Sequence, residues 1–202
     1  MNTGGYHVAC GERGAGGMPP RRGCPGRSGL IPPGSGGEGT PVRPPRVHPM
    51  LAALVTEGVL SVGGRVFSDL EACPHCGGEV SGYDTKERRF AVVIVGDERR
   101  TVNVRVKRFS CAACGRVSPA RAPFYPGTRH GSPVVDLCVA LSRNMTPGRA
   151  ARVAACLGIS VDKNTVRSYA RGAFPAVPVE PLFGIPLPRS LLSLSLTAAT
   201  RR

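Results

Sequence analysis

The sequence predicts a small α+β fold: a β-hairpin domain closed by four cysteines, then three short helices, with disordered termini. Three observations carry this. Two copies of C-x-x-C-G, Cys73-Pro74-His75-Cys76-Gly77 and Cys111-Ala112-Ala113-Cys114-Gly115, set two thiols on each of two tight turns. The stretch between them is β-rich. Past the second pair, Ser132-Pro133, Thr146-Pro147 and Asp162 each read as a helix start.

Composition bounds what such a chain can be. It has 202 residues, no Trp, 27 Gly and 20 Pro, so a large apolar core is not expected and a metal staple would compensate for a small one. Lys and Arg number 27 against 13 Asp and Glu, a formal net charge of +14. Excess of that size points to polyanionic partners, most often nucleic acid, because each cation seated on a phosphate releases counterions. No run of about 18 apolar residues is present, so no transmembrane helix is expected. The N-terminus lacks the apolar segment of a signal peptide, which predicts a cytoplasmic location.

Residues 1–46 are mostly Gly, Pro and Arg with scattered small residues, and are expected to be a disordered tail. Cys10 and Cys24 fall there and read as unpaired thiols. Residues 47–57 carry apolar positions on a helical period, with Pro49 in the first turn, and the helix is expected to stop at Gly58. An extended arm then leads to residue 70. The cysteine domain spans 71–117. Within it, 89–95 and 101–109 read as strands joined by a turn near Gly96-Asp97. Val102, Val104 and Val106 face one way, and Asn103, Arg105 and Lys107 the other. Such a hairpin returns the second cysteine pair to the first, the layout of a zinc ribbon.

A Pro-rich connector covers 118–131, and 132–172 hold the three helices. The second helix, the Gly158-Ile159-Ser160 turn and the third helix have the order of a helix-turn-helix. Val153, Ala154 and Leu157 are expected to form the inner face of the second helix, Ile159 to plug the turn, and Val166 with Ala170 to form the inner face of the third. Lys163, Asn164, Arg167, Ser168 and Arg171 are left outward, all polar or cationic. Cys138 and Cys156 read as buried small hydrophobes. Residues 173–202 read as a Pro-rich tail, with a short strand at 191–196.

The four thiolates of Cys73, Cys76, Cys111 and Cys114 suffice for one closed tetrahedral site. That argues for a structural ion rather than metal catalysis. Zinc is expected, with iron the other ion such a site takes. A redox C-x-x-C would need a βαβ context, which the β-rich flanks do not supply. His75 reads as solvated or as a neighbour of the site rather than a ligand.

Taken together, C-P-H-C-G, a basic β-rich insert, C-A-A-C-G-R, and then A-R-V-A-A-C-L-G-I-S followed by T-V-R-S-Y resemble the N-terminal DNA-binding region of bacterial and archaeal insertion-sequence transposases. The likeness is strongest to archaeal versions in which a zinc ribbon precedes a helix-turn-helix, and covers about 70–171. It implies that the four cysteines are metal ligands and that the helix carrying Asn164 and Arg167 reads the transposon end. The chain departs from that pattern in two places. Val161-Asp162-Lys163 lengthens the link into the last helix. Beyond Arg171 the only carboxylate is Glu180, too few acids for a two-metal strand-transfer site.

The expectation is therefore a non-enzymatic, sequence-specific binder of double-stranded DNA, a DNA-binding subunit or truncated transposase of a transposable element. Arg99, Arg100, Arg105 and Lys107 on the hairpin would clamp phosphates, and Lys163, Asn164, Arg167, Ser168 and Arg171 would face the groove. A homodimer or a separate catalytic subunit would be its protein partner. The alternatives are a zinc-ribbon protein of the transcription or translation machinery unconnected with transposition, and an interaction module whose helices dimerise.

Overall fold

A computed structural model describes residues 47–199. The expected disordered tail, with Cys10 and Cys24, lies outside them. Five helices and two sheets are found among the described residues, and no helix there is long and apolar enough to cross a membrane.

The first helix, α1 (Pro49–Leu60), buries Leu51, Val55 and Val59 at helical spacing. It does not stop at Gly58. That glycine is buried inside the helix, where an added Cβ would fall 2.6–2.8 Å from Ser195 atoms. Its missing side chain serves a close crossing rather than a helix end. The expected extended arm is accordingly shorter, a turn followed by the two-residue strand β1 (Val66–Phe67).

The hairpin is longer than the alternation alone marks. Strand β2 (Val80–Val95) pairs antiparallel with β3 (Glu98–Cys111) from Val80↔Cys111 to Val95↔Glu98. Gly96, at φ +60, opens the two-residue turn, where a left-handed first position matches the twist of the strands. The other edge of β3 takes β1 in parallel and β4 (Val117–Pro119) antiparallel. Val102, Val104 and Val106 are buried while Arg105 is exposed, so the predicted faces hold. Two bulges on β2, at Tyr83 and Phe90, reset the register. The second matters most. Phe90 turns into the core, its C=O accepts a hydrogen bond from the Gly131 N–H at 2.8 Å, and its ring lies where a Gly131 side chain would be.

Helices α2 (Ser132–Ser142), α3 (Pro147–Cys156) and α4 (Lys163–Arg171) follow. Gly131, not Ser132, is the N-cap of α2, whereas Thr146 and Asp162 cap α3 and α4 through their side chains. Val153, Ala154, Leu157, Ile159 and Val166 are buried. Two expectations fail. The inner face of α4 is Val166 with Tyr169, three residues on, and Ala170 is exposed. Cys138 is buried but Cys156, at the open end of α3, is exposed.

The lengthened α3–α4 link has a structural role. Gly158 sits at φ +83. Its C=O accepts from the Ile94 N–H at 2.8 Å, the Ser160 N–H donates to the Val92 C=O at 2.8 Å, and Val93 and Ile159 form an antiparallel bridge. The turn between the helices is therefore pinned to the free edge of β2.

The expected C-terminal tail is instead folded. Strands β5 (Val179–Leu182) and β6 (Ile185–Pro188) form a hairpin, and the stretch read as a strand at 191–196 belongs to helix α5 (Arg189–Ala199). This two-stranded ribbon tolerates its prolines because, among the described residues, neither outer edge pairs with a further strand that would need an N–H. In α5 the L-S-L-S alternation is overridden by an i, i+4 pair: Leu191 and Ser195 are buried against the core and α1, and Leu196 is left out. Glu180 is not isolated, since Arg189 holds it at 2.7–2.8 Å. Asp136 lies past the first turn of α2. It is buried within α2, accepting from Tyr125 Oη at 2.8 Å and Ser190 Oγ at 2.5 Å, and so joins the connector, α2 and α5. Burial, then the adjoining Asp136 carboxylate, pushes the Tyr125 hydroxyl up to about 12.

Candidate metal centre and cationic helix face

The two cysteine turns are built alike. Gly77 N–H donates to the Cys73 C=O at 2.9 Å, and Gly115 N–H to the Cys111 C=O at 2.9 Å. The chain then closes back through Cys73 N–H to Gly78 C=O and Cys111 N–H to Arg116 C=O, each 3.0 Å. Gly77 and Gly115 have φ of +72 and +68, which explains the glycine after each pair. β2 leaves one turn and β3 enters the other, so pairing of Val80 with Cys111 brings them face to face.

The four sulfurs lie within 4.8 Å of one another. Cys73 and Cys114 Sγ are 3.7 Å apart, and Cys76 and Cys111 Sγ 3.5 Å. Those separations exceed the ~2.05 Å of a disulfide. They approach the edge of about 3.8 Å expected for thiolates ~2.3 Å from a shared tetrahedral ion. Backbone amides already favour charge there. The N–H groups of His75 and Cys76 bring the Cys73 thiol down to about 6. The Cys114 N–H likewise lowers Cys111. Cys76 is pushed up to about 12: although the Gly78 N–H favours its thiolate, Cys111 and Cys114 beside it and burial oppose a further negative charge. A cation is what lets all four ionise together. The donor set thus fits one metal ion, with Cys73 and Cys111 buried and Cys76 and Cys114 at the surface. His75 is exposed, its Nδ1 3.2 Å from Arg116 and outside the cluster.

The second feature is α4. Lys163, Asn164, Arg167, Ser168 and Arg171 are all exposed, while Val166 and Tyr169 anchor the opposite side. Tyr169 Oη is 2.8 Å from His130 Nδ1, a buried contact to the connector. Asp162 accepts from the N–H groups of Asn164 and Thr165 at 2.8 and 2.9 Å and from the Thr165 hydroxyl. The Thr165 hydroxyl and these N–H groups hold its carboxyl below the usual range.

The hairpin cations divide. Arg99, Arg105 and Lys107 share one face by strand alternation, but Arg100 lies on the other and pairs with Glu98 at 3.6 Å. Lys107 is half-buried, its Nζ 5.2 Å from the centre of the Phe109 ring. Of these, Arg99 is the one brought beside α4, across a cleft that also holds Asp162 and Thr165. Arg89 and Arg129 line the same cleft. They escaped the sequence reading because the register of β2 past its bulge and the path of the connector have no local signal. No family model matches the chain, and no curated protein or solved structure matches it.

Proposed function

We propose that the chain is a non-enzymatic protein that binds double-stranded DNA sequence-specifically, with α3, its turn and α4 acting as a helix-turn-helix and the four-cysteine hairpin as a zinc ribbon. The observation that carries this is the outer face of α4. Five polar or cationic side chains stand exposed on it, and the only acid at that end of the helix is held in the cap. A helix set outward on an apolar anchor can enter a major groove, where Arg167 would pair with the N7 and O6 of guanine and Asn164 with the N6 and N7 of adenine. The resemblance to transposase DNA-binding regions adds the proposal that the target is a transposon end, with a second copy or a separate catalytic subunit as partner.

The acids support a binding rather than a reacting protein. Asp84 is paired with Arg108, Asp136 is buried, Asp162 caps α4 and Glu180 is held by Arg189. They stand in different elements and have different tasks.

Selection of a preferred duplex followed by fluorescence anisotropy tests the reading. Arg167→Ala should weaken the selected duplex by about 1–3 kcal/mol and relax preference at one base pair. Equal loss on selected and random DNA would reduce α4 to a phosphate contact. Tighter binding to structured RNA than to any duplex would favour the transcription or translation class. The selected duplex should also stay uncut in Mg2+; cleavage abolished by one Asp or Glu substitution would refute the non-enzymatic reading.

A further inference from the structure

Between the hairpin and α4 lies a cleft of about 220 Å³. Its hairpin wall is Arg89, Val92 and Arg99. Cross-strand pairing places Arg89 opposite Asn103 and Arg99 opposite Ile94, which sets both arginines on one face of the hairpin, the face opposite the buried Val102, Val104 and Val106. The connector contributes Arg129, and the turn and α4 contribute Asp162 and Thr165. A second cavity of about 300 Å³ shares Arg129 and Thr165 and continues along α4 past Asn164 and Ser168.

The charges do not cancel. Among the described residues the ion pairs are Arg100–Glu98, Arg108–Asp84 and Arg189–Glu180, and none involves Arg89, Arg99 or Arg129. The one acid in the cleft, Asp162, spends its oxygens on the cap of α4. That also occupies the first-turn N–H groups of the helix, so the helix end is not what attracts an anion here. Three arginines from three segments line one hollow, each exposed and with a planar fork suited to oxyanion edges.

We propose that the cleft framed by Arg89, Arg99 and Arg129 is a phosphate-binding site, and that in the complex it seats one phosphodiester of the DNA strand lying beside α4. The second clause rests on the reading of α4 as the DNA-facing helix; the first does not. Such a seat would fix the height and rotation of α4 in the groove, because backbone contacts position what base contacts specify.

His130, buried beside the cleft, reports on it independently. Burial first, then Arg89 and Arg129, hold its imidazole below the usual range, with Asp162 pulling the other way. A phosphate between those arginines would offset their field and raise the His130 midpoint.

The test uses the full chain. Arginine Nε–Hε signals are followed by NMR while inorganic phosphate is added, with chloride at matched ionic strength as the control. Arg89, Arg99 and Arg129 should move together and saturate, the His130 midpoint should rise, Arg129→Gln should abolish both effects, and Arg129→Lys should retain part of them. In DNA binding, Arg89→Gln and Arg129→Gln should each lower the log–log salt slope by about one on selected and random duplexes alike. Phosphate shifts no larger than those of chloride, or shifts that survive Arg129→Gln, overturn the site. Phosphate binding with an unchanged DNA slope overturns its use for DNA. If Arg167→Ala proves indifferent to sequence while the phosphate and slope effects persist, the reading role of α4 fails and the phosphate site stands.

Discussion

Replacing Gly158 with alanine tests how α4 is held. Two costs can be separated. The residue sits at φ +83, where a side chain strains the backbone by about 1–2 kcal/mol. The new Cβ would also lie 2.0 Å from the Thr56 hydroxyl oxygen of α1. Relieving that overlap requires Thr56 to leave its rotamer or α1 to move, and overpacking of this kind costs about 1–3 kcal/mol. Gly158→Ala should therefore lose about 2–5 kcal/mol of unfolding free energy, measured by urea titration with an unchanged m-value. Thr56→Ala removes the colliding oxygen and leaves the Thr56 Cβ at an ordinary 3.4 Å. The double variant should then recover the steric part and keep only the backbone part, a coupling of about 1–3 kcal/mol in a double-mutant cycle. A single variant within about 0.5 kcal/mol of the parent, or additive single and double variants, would refute the reasoning.

Two more outcomes are expected. The purified chain should hold one zinc ion. Cys73→Ser or Cys114→Ser should lose it and unfold the cysteine end of the hairpin, since structural zinc contributes roughly 10–16 kcal/mol of apparent binding energy; metal analysis well below one equivalent with the strands still protected from hydrogen exchange contradicts this. Asp162→Ala should cost about 0.5–2 kcal/mol at neutral pH. Because the folded carboxyl is depressed, its contribution is fully present above the ordinary carboxylate range and is lost as pH falls through the folded value. The gap between parent and variant should therefore narrow in acid, and a gap constant to pH ~2 would show that the charged carboxylate is not the cap.

Features set by local chemistry were legible in the sequence. A glycine after each C-x-x-C reports the left-handed turn beneath the sulfurs, the Val102, Val104, Val106 alternation reports a half-buried strand, and Thr146 and Asp162 announce their helices. What stayed hidden depends on partners distant in the chain. Gly58 looks like a helix stop until Ser195 is found against it. The alternation after Arg189 fits a strand or a helix equally until α1 and α2 offer a surface for Leu191. The bulge at Phe90 is settled by Gly131, which leaves room for its ring. On α4, Tyr169 rather than Ala170 takes the inner face, where His130 supplies a partner for its hydroxyl.

The bridge that pins the α3–α4 turn to Val93 lies thirteen positions along β2 from Val80, where the cysteine turns begin. At about 3.3 Å per residue this is a span of roughly 40 Å along the strand. A screening length near 8 Å in physiological salt is a small fraction of it. Whatever charge an ion brings to the four sulfurs is largely extinguished before it reaches the helices. The hairpin therefore works as a strut. An ion bound at its far end leaves the electrostatic field around α4 nearly unchanged.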